Sequence, residues 1–308
     1  GDKHDYMSLA IYWWPNPITR VPYYERDGHV NPEVKDYDAP RLGLMQRSVR
    51  HLAVAWWLTG EEAYAAKAAE FLRVWFLDPK TRMNPNLKFG QGVPGLKPGN
   101  RWGIIETGDT ALRLIDAIGL LAESESWREQ DNAALQAWFR DYLKWLRTSK
   151  LGREEAATRN NHGFYYDLQI AVFACYVGEE ALAKQVLSGV TTRRIDEQIE
   201  PDGRMPRELA RTKSFDYSVY NLRAIVALAS VAEKLGVDLW HYRGPEGQGI
   251  RAAIDYLAEY ARTGKPWPHD QLGKVSYGRL VPLLVSAAEA YEEPKYAELA
   301  ASFNGYER

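Results

Sequence analysis

Apolar residues recur every three or four positions through most of the chain after residue 40, which is the pattern of amphipathic helices. The first such stretch runs from Leu42 to Trp56 and is followed by Gly60, a residue that commonly ends helices. Further helices are predicted over residues 61–76, 104–123, 127–150, 162–177, 179–187, 193–199, 222–235, 247–263, 276–291 and 293–303. The sequence shows no convincing strand pattern. Helices that arrive in pairs with short turns, without a fixed repeat, predict one all-α domain over residues 1–308, an incomplete (α/α) toroid of antiparallel helix pairs.

Residues 1–40 lack this periodicity and are rich in proline, tyrosine and tryptophan. Pro15, Pro17 and Pro22 oppose a helix because proline has no backbone N–H to donate. We therefore expect an ordered aromatic strap at the N-terminus. Two roles stay open for it: packing its tryptophans into the core, or covering a bound substrate.

A second irregular segment, residues 79–103, is dense in asparagine, glycine, proline and lysine. Loops of this length in a compact domain are usually either functional or disordered. Several of its side chains suit contacts to sugars and carboxylates: Asn84, Asn86, Lys88, Gln91, Arg101 and Trp102.

The charge and composition of the chain limit the classes of binding partner that can be expected. The 39 basic and 41 acidic residues give a formal net charge of -2, so no overall charge favours nucleic acid or an anionic membrane. No apolar run is long enough to span a bilayer. Because the chain starts at Gly1 with neither an initiator methionine nor a signal peptide, we expect processing or truncation. The chain is rich in aromatic residues, with 11 tryptophans and 19 tyrosines. Such a high aromatic content is common in proteins that stack on sugar rings, although large helical cores also have it.

Metal and nucleophile chemistry have little support in the sequence. The single cysteine, Cys175, lies in an apolar helical setting that predicts a buried hydrophobe rather than a nucleophile. Gly90-Gln91-Gly92 lacks the strand and helix that flank a dinucleotide site. The histidines are scattered without the paired spacing of a zinc site: His4, His29, His51, His162, His241 and His269. We therefore predict neither a metal nor a cofactor.

The stretch Thr158–Tyr166 has the highest density of hydrogen-bonding side chains. From Tyr165 onward the pattern becomes apolar with helical spacing, so His162 is expected at or near a helix N-terminus. Backbone N–H groups at that end of a helix favour negative charge. We interpret this stretch as one half of a carboxylate-binding site, and the segment from Glu208 to Tyr220 as the other half.

These residues suit β-elimination on a uronic acid polymer. The proton at C5 is hard to remove because the carbanion forms next to a carboxylate, and amide, imidazole and guanidinium donors stabilise the resulting enolate-like intermediate. A tyrosine near a cation can take that proton and return one to the glycosidic oxygen. The candidate catalytic residues are Asn161, His162, Arg211 and Tyr217, and this chemistry needs no metal.

Each of the four also has a structural explanation. Asn161 is a common helix N-cap residue, and His162 can be a hydrogen-bonded histidine at a helix end. Arg211 can pair with a nearby carboxylate, and Tyr217 can belong to the core. Their grouping in two clusters favours a site. The candidate substrate-binding residues are Tyr12, Trp13, Trp14, Lys88, Gln91, Arg101, Arg159, Asn160, Arg207 and Tyr220.

Other functions stay open from the residues alone. A glycoside hydrolase needs two facing carboxylates, and a non-catalytic helical module could hold an acidic polysaccharide through aromatic and basic residues. A helical scaffold for protein partners is a further alternative. The carboxylates available for hydrolysis are Glu106, Asp109, Asp202 and Glu208.

The two clusters also carry a resemblance. Asn160-Asn161-His162 resembles the Asn-Asn-His motif of the alginate lyase superfamily of polysaccharide lyases, and Glu208-Leu209-Ala210-Arg211 with Tyr217 and Tyr220 resembles its Glu-Leu-x-Arg…Tyr-x-x-Tyr segment. The resemblance extends over residues 1 to about 225. It includes two further stretches, Asp2–Pro17 and Met83–Asn86 with Gln91.

This resemblance implies an (α/α) toroid and a metal-independent lyase. It implies that Asn161, His162 and Arg211 bind the substrate carboxylate and that Tyr217 is both base and acid. His162 is a second candidate base for epimeric residues. The spacing from Arg211 to Tyr217 is one residue shorter than in the best-known alginate lyases, and the N-terminal segment differs from their lid. The substrate therefore stays open between alginate (mannuronate or guluronate) and glucuronan. The resemblance also implies a periplasmic or secreted enzyme.

Overall fold

The computed structural model of the protein describes residues 1–303, and their contacts cluster into two compact units. The first unit comprises Gly1–Ala157 and Val172–Ala183. The second comprises Thr158–Ala171 and the described chain from Lys184 onward. The single domain expected over residues 1–308 stays a prediction.

Helices account for most of the described chain, as the periodicity predicts. Several boundaries differ: the predicted helix over 104–123 is divided into a 3₁₀ turn, a π turn and a short α-helix. The α-helices are α1 (Asp38–Thr59), α2 (Glu62–Leu72), α3 (Ile115–Leu120), α4 (Glu129–Thr148), α5 (Lys150–Ala156), α6 (Asn161–Tyr176), α7 (Glu180–Ser188), α8 (Asp196–Gln198), α9 (Pro206–Leu209), α10 (Ser214–Lys234), α11 (Ile250–Thr263), α12 (Val281–Tyr291) and α13 (Pro294–Ser302). The 3₁₀ turns are Pro32–Asp36, Arg101–Thr107 and Tyr277–Leu280, and the π turns are Arg73–Leu77, Thr110–Leu114 and Thr191–Ile195.

Helix α1 shows how closely local sequence decides a helix here. Leu42, Met45, Val49 and Ala53 are buried along one face at three-and-four spacing. The helix ends at Gly60, whose φ of 71° is the left-handed conformation that glycine adopts without a steric penalty. Both features are readable from the sequence, and both are confirmed.

The core of the first unit is aromatic around α4. The ring of Trp138 lies 4.8 Å from Phe76 and 5.3 Å from Tyr142, measured between centroids. Phe139 packs at 4.9 Å against Phe173. Such rings bury large areas and add specific edge and tilted contacts. Part of the aromatic content therefore serves the core, which was one of the two explanations open from composition.

Residues 1–303 contain four short strands, so the prediction that the chain has no strands is wrong. Strands β1 (Met7–Leu9) and β4 (Phe89–Gly92) pair in parallel, and β2 (Trp13–Asn16) pairs antiparallel with β3 (Arg20–Glu25). Strands of three to six residues are too short to show a reliable alternation. The first pair also joins residues about eighty positions apart, which no local pattern reports.

Helix α10 begins at Ser214, earlier than the predicted start near residue 222. Its first N–H groups are bound from outside the helix, because Ser214 N donates to Asp270 O at 3.0 Å and Phe215 N donates to Gln271 Oε1 at 3.0 Å. Partners distant in sequence thus extend the helix at its start. As a result, Tyr217 lies on α10 rather than in a connecting segment.

The prediction that Cys175 is buried is also wrong, because the residue is exposed. In the last turns of α6 the side chains of Phe173 and Ala174 are fully buried, and Cys175 falls on the outward side. Apolar neighbours in sequence therefore did not decide its burial. In the described part of the chain, no helix is both long and apolar enough to cross a membrane.

Candidate active site

Asn161 is the first residue of α6 and is held by one carboxylate. Its backbone N–H donates to Glu208 Oε1 at 2.7 Å, and its side-chain Nδ2 donates to Glu208 Oε2, also at 2.7 Å. Both residues are 1% exposed. Glu208 lies on the short helix α9, which starts at Pro206, a residue preset for the first helical position. This two-point contact fixes both the start of α6 and the orientation of the Asn161 amide.

The electrostatics of Glu208 link it to the predicted catalytic residues. Burial raises the pKa of its carboxyl, since desolvation disfavours the charged form. The hydrogen bonds from Asn161 and the nearby His162 and Arg211 lower that pKa, and burial is the stronger influence. His162 and Arg211 therefore lie close enough to this carboxylate for their charges to act on it.

Arg211 and Tyr217 contact each other directly. Arg211 Nη2 donates to the Tyr217 hydroxyl oxygen at 2.9 Å, and the guanidinium carbon lies 3.9 Å from the centre of the tyrosine ring. Both side chains are half-buried. A cation that donates to a phenol oxygen favours the phenolate form of the tyrosine. The pair can therefore supply a base and a positive charge at one place.

Tyr220 lies one turn after Tyr217 on α10, so the two share a face of the helix. The rings of Tyr220 and Tyr165 stack with centroids 4.4 Å apart and an angle of 23° between planes. The Tyr165 hydroxyl also donates to the Tyr220 carbonyl at 3.3 Å. This stack joins the second turn of α6 to the second turn of α10.

The remaining candidates of the second unit lie at its surface or edge. Arg159 is exposed and forms an ion pair with Glu197, with 3.1 Å between Nε and Oε2. Arg207 is exposed on α9. Asn160 is half-buried, and its Oδ1 is among the buried polar atoms of the described chain that make no hydrogen bond. The second unit thus brings together Asn161, His162, Arg211 and Tyr217, and places Asn160 next to them.

The candidate cations of the first unit are already paired there. Lys88 Nζ lies 3.1 Å from Asp5 Oδ1, and Arg101 Nη1 lies 2.8 Å from Oε2 of Glu155, a buried residue. An arginine bound to a buried carboxylate has its charge compensated inside the unit. Arg101 therefore has a structural role whether or not it also contacts a substrate.

The candidate aromatic residues of the strap are half-buried. Trp13 stacks on Trp102 with centroids 6.2 Å apart, and Trp14 lies under the guanidinium of Arg26, 4.8 Å from ring centre to Cζ. The Tyr12 carbonyl accepts from the backbone N–H of Arg26 at 2.8 Å. These contacts hold the strap in one conformation within the first unit.

Gln91 is 8% exposed and has a φ of 45°, which is uncommon for a residue other than glycine. Its backbone N–H donates to Ser8 Oγ at 2.6 Å. Ser8 Oγ and the Tyr6 hydroxyl in turn donate to Glu106 Oε2 at 2.6 and 2.8 Å. Burial raises the pKa of Glu106 to about 7, against the opposing influence of these two hydroxyls. Strained backbone of this kind clusters at functional sites.

The carboxylates considered for hydrolysis all have protein partners. Asp109 is exposed, with Oδ1 4.0 Å from Arg113 Nε, and Asp202 Oδ2 accepts from Arg204 Nε at 2.7 Å. Glu106 and Glu208 are bound as described above. Within residues 1–303, no group of three histidine, cysteine, aspartate or glutamate side chains has the placement to hold a metal ion.

The model of the alginate lyase family matches residues 1–267. The chain belongs to the alginate lyase family. It is accordingly an enzyme, a polysaccharide lyase, and the hydrolase and non-catalytic alternatives give way to that class. Comparison with curated proteins finds no match.

Solved structures agree with this family. A crystal structure of an alginate lyase from Bacteroides ovatus is 37% identical with a TM-score of 0.95, covering 99% of this chain and 82% of that one. Alginate lyase A1-III in complex with a tetrasaccharide is 14% identical with a TM-score of 0.65, covering 100% and 80%. Its apo form is 16% identical with a TM-score of 0.62, covering 94% and 77%. The predicted fold class, the all-α toroid of these lyases, is confirmed by the likeness.

Two residues at the site, Glu208 and Tyr165, have roles that the sequence does not predict. The sequence predicts Glu208 as the start of the second half of the carboxylate-binding site, as a motif residue and as one of the possible hydrolytic acids, and Tyr165 only as the start of an apolar pattern. The position of Glu208 three residues before Arg211, within the same motif, was the available signal for its structural role. No local signal reports that its partner is Asn161, 47 residues earlier.

Proposed function

We propose that this lyase cleaves the β-1,4-linked mannuronate of alginate by metal-independent β-elimination, with Tyr217 as base and acid. The observation that carries the proposal is the contact between Arg211 and the Tyr217 hydroxyl at 2.9 Å. The guanidinium favours the phenolate that must take the proton from C5. Alginate is favoured over glucuronan because the similar solved structures are alginate lyases.

The residues of the candidate site can supply and accept every proton that the β-elimination requires. The Tyr217 phenolate takes the C5 proton, and the electron pair of the broken C5–H bond delocalises into the carboxylate. Asn161, His162 and Arg211 stabilise that charge as hydrogen-bond donors. The C4–O4 bond then breaks and a C4–C5 double bond forms. The phenol of Tyr217 returns its proton to O4, leaving a 4,5-unsaturated uronate on one product and a hydroxyl on the other.

The single tyrosine matches the stereochemistry of mannuronate. In β-1,4-linked mannuronate and glucuronate the C5 proton and O4 lie on the same face of the ring, so one group serves both steps. Guluronate places them on opposite faces and requires a second group, for which His162 is the candidate. Glucuronan is therefore the second polymer to test, and polyguluronate the third.

Asn161 can act on the substrate while it remains bound to Glu208. A side-chain amide carries two N–H groups, and the contact with Glu208 uses one of them. The second is assigned to the substrate carboxylate. Because alginate is a long polymer that cells meet outside the cytoplasm, the proposal places the enzyme in the periplasm or the medium.

The test is the ultraviolet absorbance of the conjugated unsaturated uronate. Purified protein is mixed with polymannuronate, polyguluronate and glucuronan, each with and without a chelator. We expect the fastest rise on polymannuronate, unchanged by the chelator. No rise on any of the three polymers with folded protein would refute the proposal, and loss of the rise with the chelator would refute its metal independence.

The first variant is Tyr217→Phe, which keeps the ring and removes the proton carrier. We expect kcat on polymannuronate to fall by at least ~10³-fold, because the residue serves both proton transfers. The matched control is Tyr242→Phe, which removes a phenol of the same unit that is hydrogen-bonded to Asp196 at 2.9 Å. A Tyr217→Phe enzyme with a tenth of wild-type kcat would show that another group is the base.

A further inference from the structure

A buried ion pair lies behind the candidate active site, in the same unit. Arg194 and Asp167 are each 1% exposed. Arg194 Nε donates to Asp167 Oδ2 at 2.8 Å, and Nη2 donates to Oδ1 at 3.2 Å. Removing two charges from water is costly, and such pairs are often no more stabilising than apolar residues of the same volume. Stability alone is therefore a weak explanation for this pair.

A further donor of Arg194 points to what the pair does. Its Nη1 donates to the carbonyl of Thr158 at 2.5 Å, in the turn that leads into Asn161. The guanidinium lies so close to Gly163 that a Cβ there would be 2.4 Å from Nη1 and 2.4 Å from Thr158 O. Any side chain at residue 163 would displace this contact. Arg194 therefore lies directly against the first turn of α6.

The geometry of α6 separates this contact from the catalytic side. Gly163 and Asp167 are four residues apart and share one helix face, which Arg194 covers. Asn161 and Tyr165 are also four residues apart, and at about 100° per residue they lie on the opposite side. On that side Asn161 binds Glu208, and Tyr165 stacks on Tyr220. The first turn of α6 is thus gripped from two sides.

We propose that Arg194 is a positioning residue for the elimination, acting through Thr158 and Asp167 to fix the place of Asn161 and His162. This inference rests on the proposed function. Arg194 does not touch the reacting atoms. It binds the carbonyl of the turn before the site and a carboxylate one turn beyond it, so the direction of the first turn of α6 depends on it. A shift of about 1 Å in groups that stabilise a transition state can cost ~10²-fold in rate.

Two variants remove this grip. Arg194→Lys keeps the charge but lacks the fork that reaches Asp167 and Thr158 together. The double variant Arg194→Met with Asp167→Leu replaces both charges with apolar volume, which keeps the protein folded without leaving an unpaired buried charge. We expect both to lower kcat on polymannuronate by ~30-fold or more, with KM changed by less than about threefold.

The matched control is Arg193→Met. Arg193 also binds Asp167, with Nη2 2.8 Å from Oδ2, but it is 47% exposed. We expect its kcat and KM to stay within about twofold of wild type. A double variant that folds and keeps wild-type kcat would overturn the proposal. So would a loss of activity that matches only the unfolded fraction of the protein.

A readout without substrate separates this inference from the proposed function. The imidazole proton resonances of His162, assigned by their loss in His162→Ala, report the first turn of α6 directly. We expect them to shift in both Arg194 variants and to stay in place in Arg193→Met. Unshifted resonances would overturn the positioning role even if the enzyme is active. Absent wild-type turnover with shifted resonances would instead count against the proposed function alone.

Discussion

Two glutamates, one in each unit, have carboxyl groups withdrawn from solvent, and they differ in what surrounds them. Glu208 accepts two N–H groups from Asn161 and lies near His162 and Arg211. Glu106 accepts hydroxyls from Tyr6 and Ser8, and the charge that acts on it is the negative one of Asp38. Burial raises the pKa of both carboxyls, and for Glu106 it reaches about 7.

The difference indicates separate roles. A carboxyl group bound by two N–H groups and close to cations is well placed to hold its donors in one geometry. A carboxyl that is desolvated, bound only by neutral groups and close to another carboxylate gains a proton near neutral pH. We therefore expect Glu208 to matter mainly for catalysis, through Asn161, and Glu106 to matter mainly for the dependence of stability on pH.

Among changes to these two carboxyl groups and their partners, Glu208→Gln is expected to have the largest effect. Of the two donors of Asn161, one would then face the amide NH₂ of glutamine instead of an oxygen, so either the start of α6 or the side chain of Asn161 must shift. We expect kcat on polymannuronate to fall by ~10²-fold, measured by the absorbance of the unsaturated product. Glu106→Gln in the same assay is expected to stay within about threefold of wild type. Equal losses in the two variants would contradict the assigned difference.

An intermediate effect is expected for Glu106→Gln on stability. The folded pKa of about 7 lies above the ordinary value of 4.5, so the folded protein holds this proton more tightly than the unfolded chain. The contribution is present below pH about 4.5 and is lost as pH rises through 7, on the order of 3 kcal/mol. The melting temperature of the wild type should therefore fall relative to that of the variant as pH rises over this range.

Glu62→Gln provides the control of opposite sign in the same unit. Hydrogen bonds from Ser124 and Ser126 lower the pKa of Glu62, so its contribution is present above the ordinary pKa and is lost as pH falls. Stability differences that run parallel over the whole pH range for Glu106→Gln would show that its carboxyl does not titrate there.

The smallest effect is expected for Ser8→Ala. The Ser8 hydroxyl donates to Glu106 and lowers its pKa, so its removal should move the titration of Glu106 above about 7. Carbon-13 resonances of the Glu106 carboxyl measure this midpoint. We expect a loss of about 2 kcal/mol in stability, because the Ser8 hydroxyl both donates to Glu106 and accepts from the backbone N–H of Gln91. Ser124→Ala should leave the Glu106 midpoint in place, and a downward shift in Ser8→Ala would reverse the assigned cause.

The helices are predictable from the sequence because the residues that specify each helix lie within it. The spacing of Leu42 to Ala53 and the position of Gly60 describe α1 without any knowledge of its partners. The strands and the start of α10 are not predictable in this way, because the contacts that decide them join residues distant in sequence. Ser214 N, for example, is bound by the carbonyl of Asp270, which lies 56 residues later.

By itself the sequence determined the helical class, the family resemblance and the two clusters around Asn161 and Arg211, since spacing and side-chain chemistry are properties of short segments. Only the tertiary structure decided which groups are in contact: Glu208 with Asn161, Arg194 with Asp167 and Thr158, and Tyr165 with Tyr220. These pairs are 27 to 55 residues apart in sequence. Burial and the partner of each polar group follow from such distant contacts, because a buried donor or acceptor must be satisfied wherever the fold brings a partner to it.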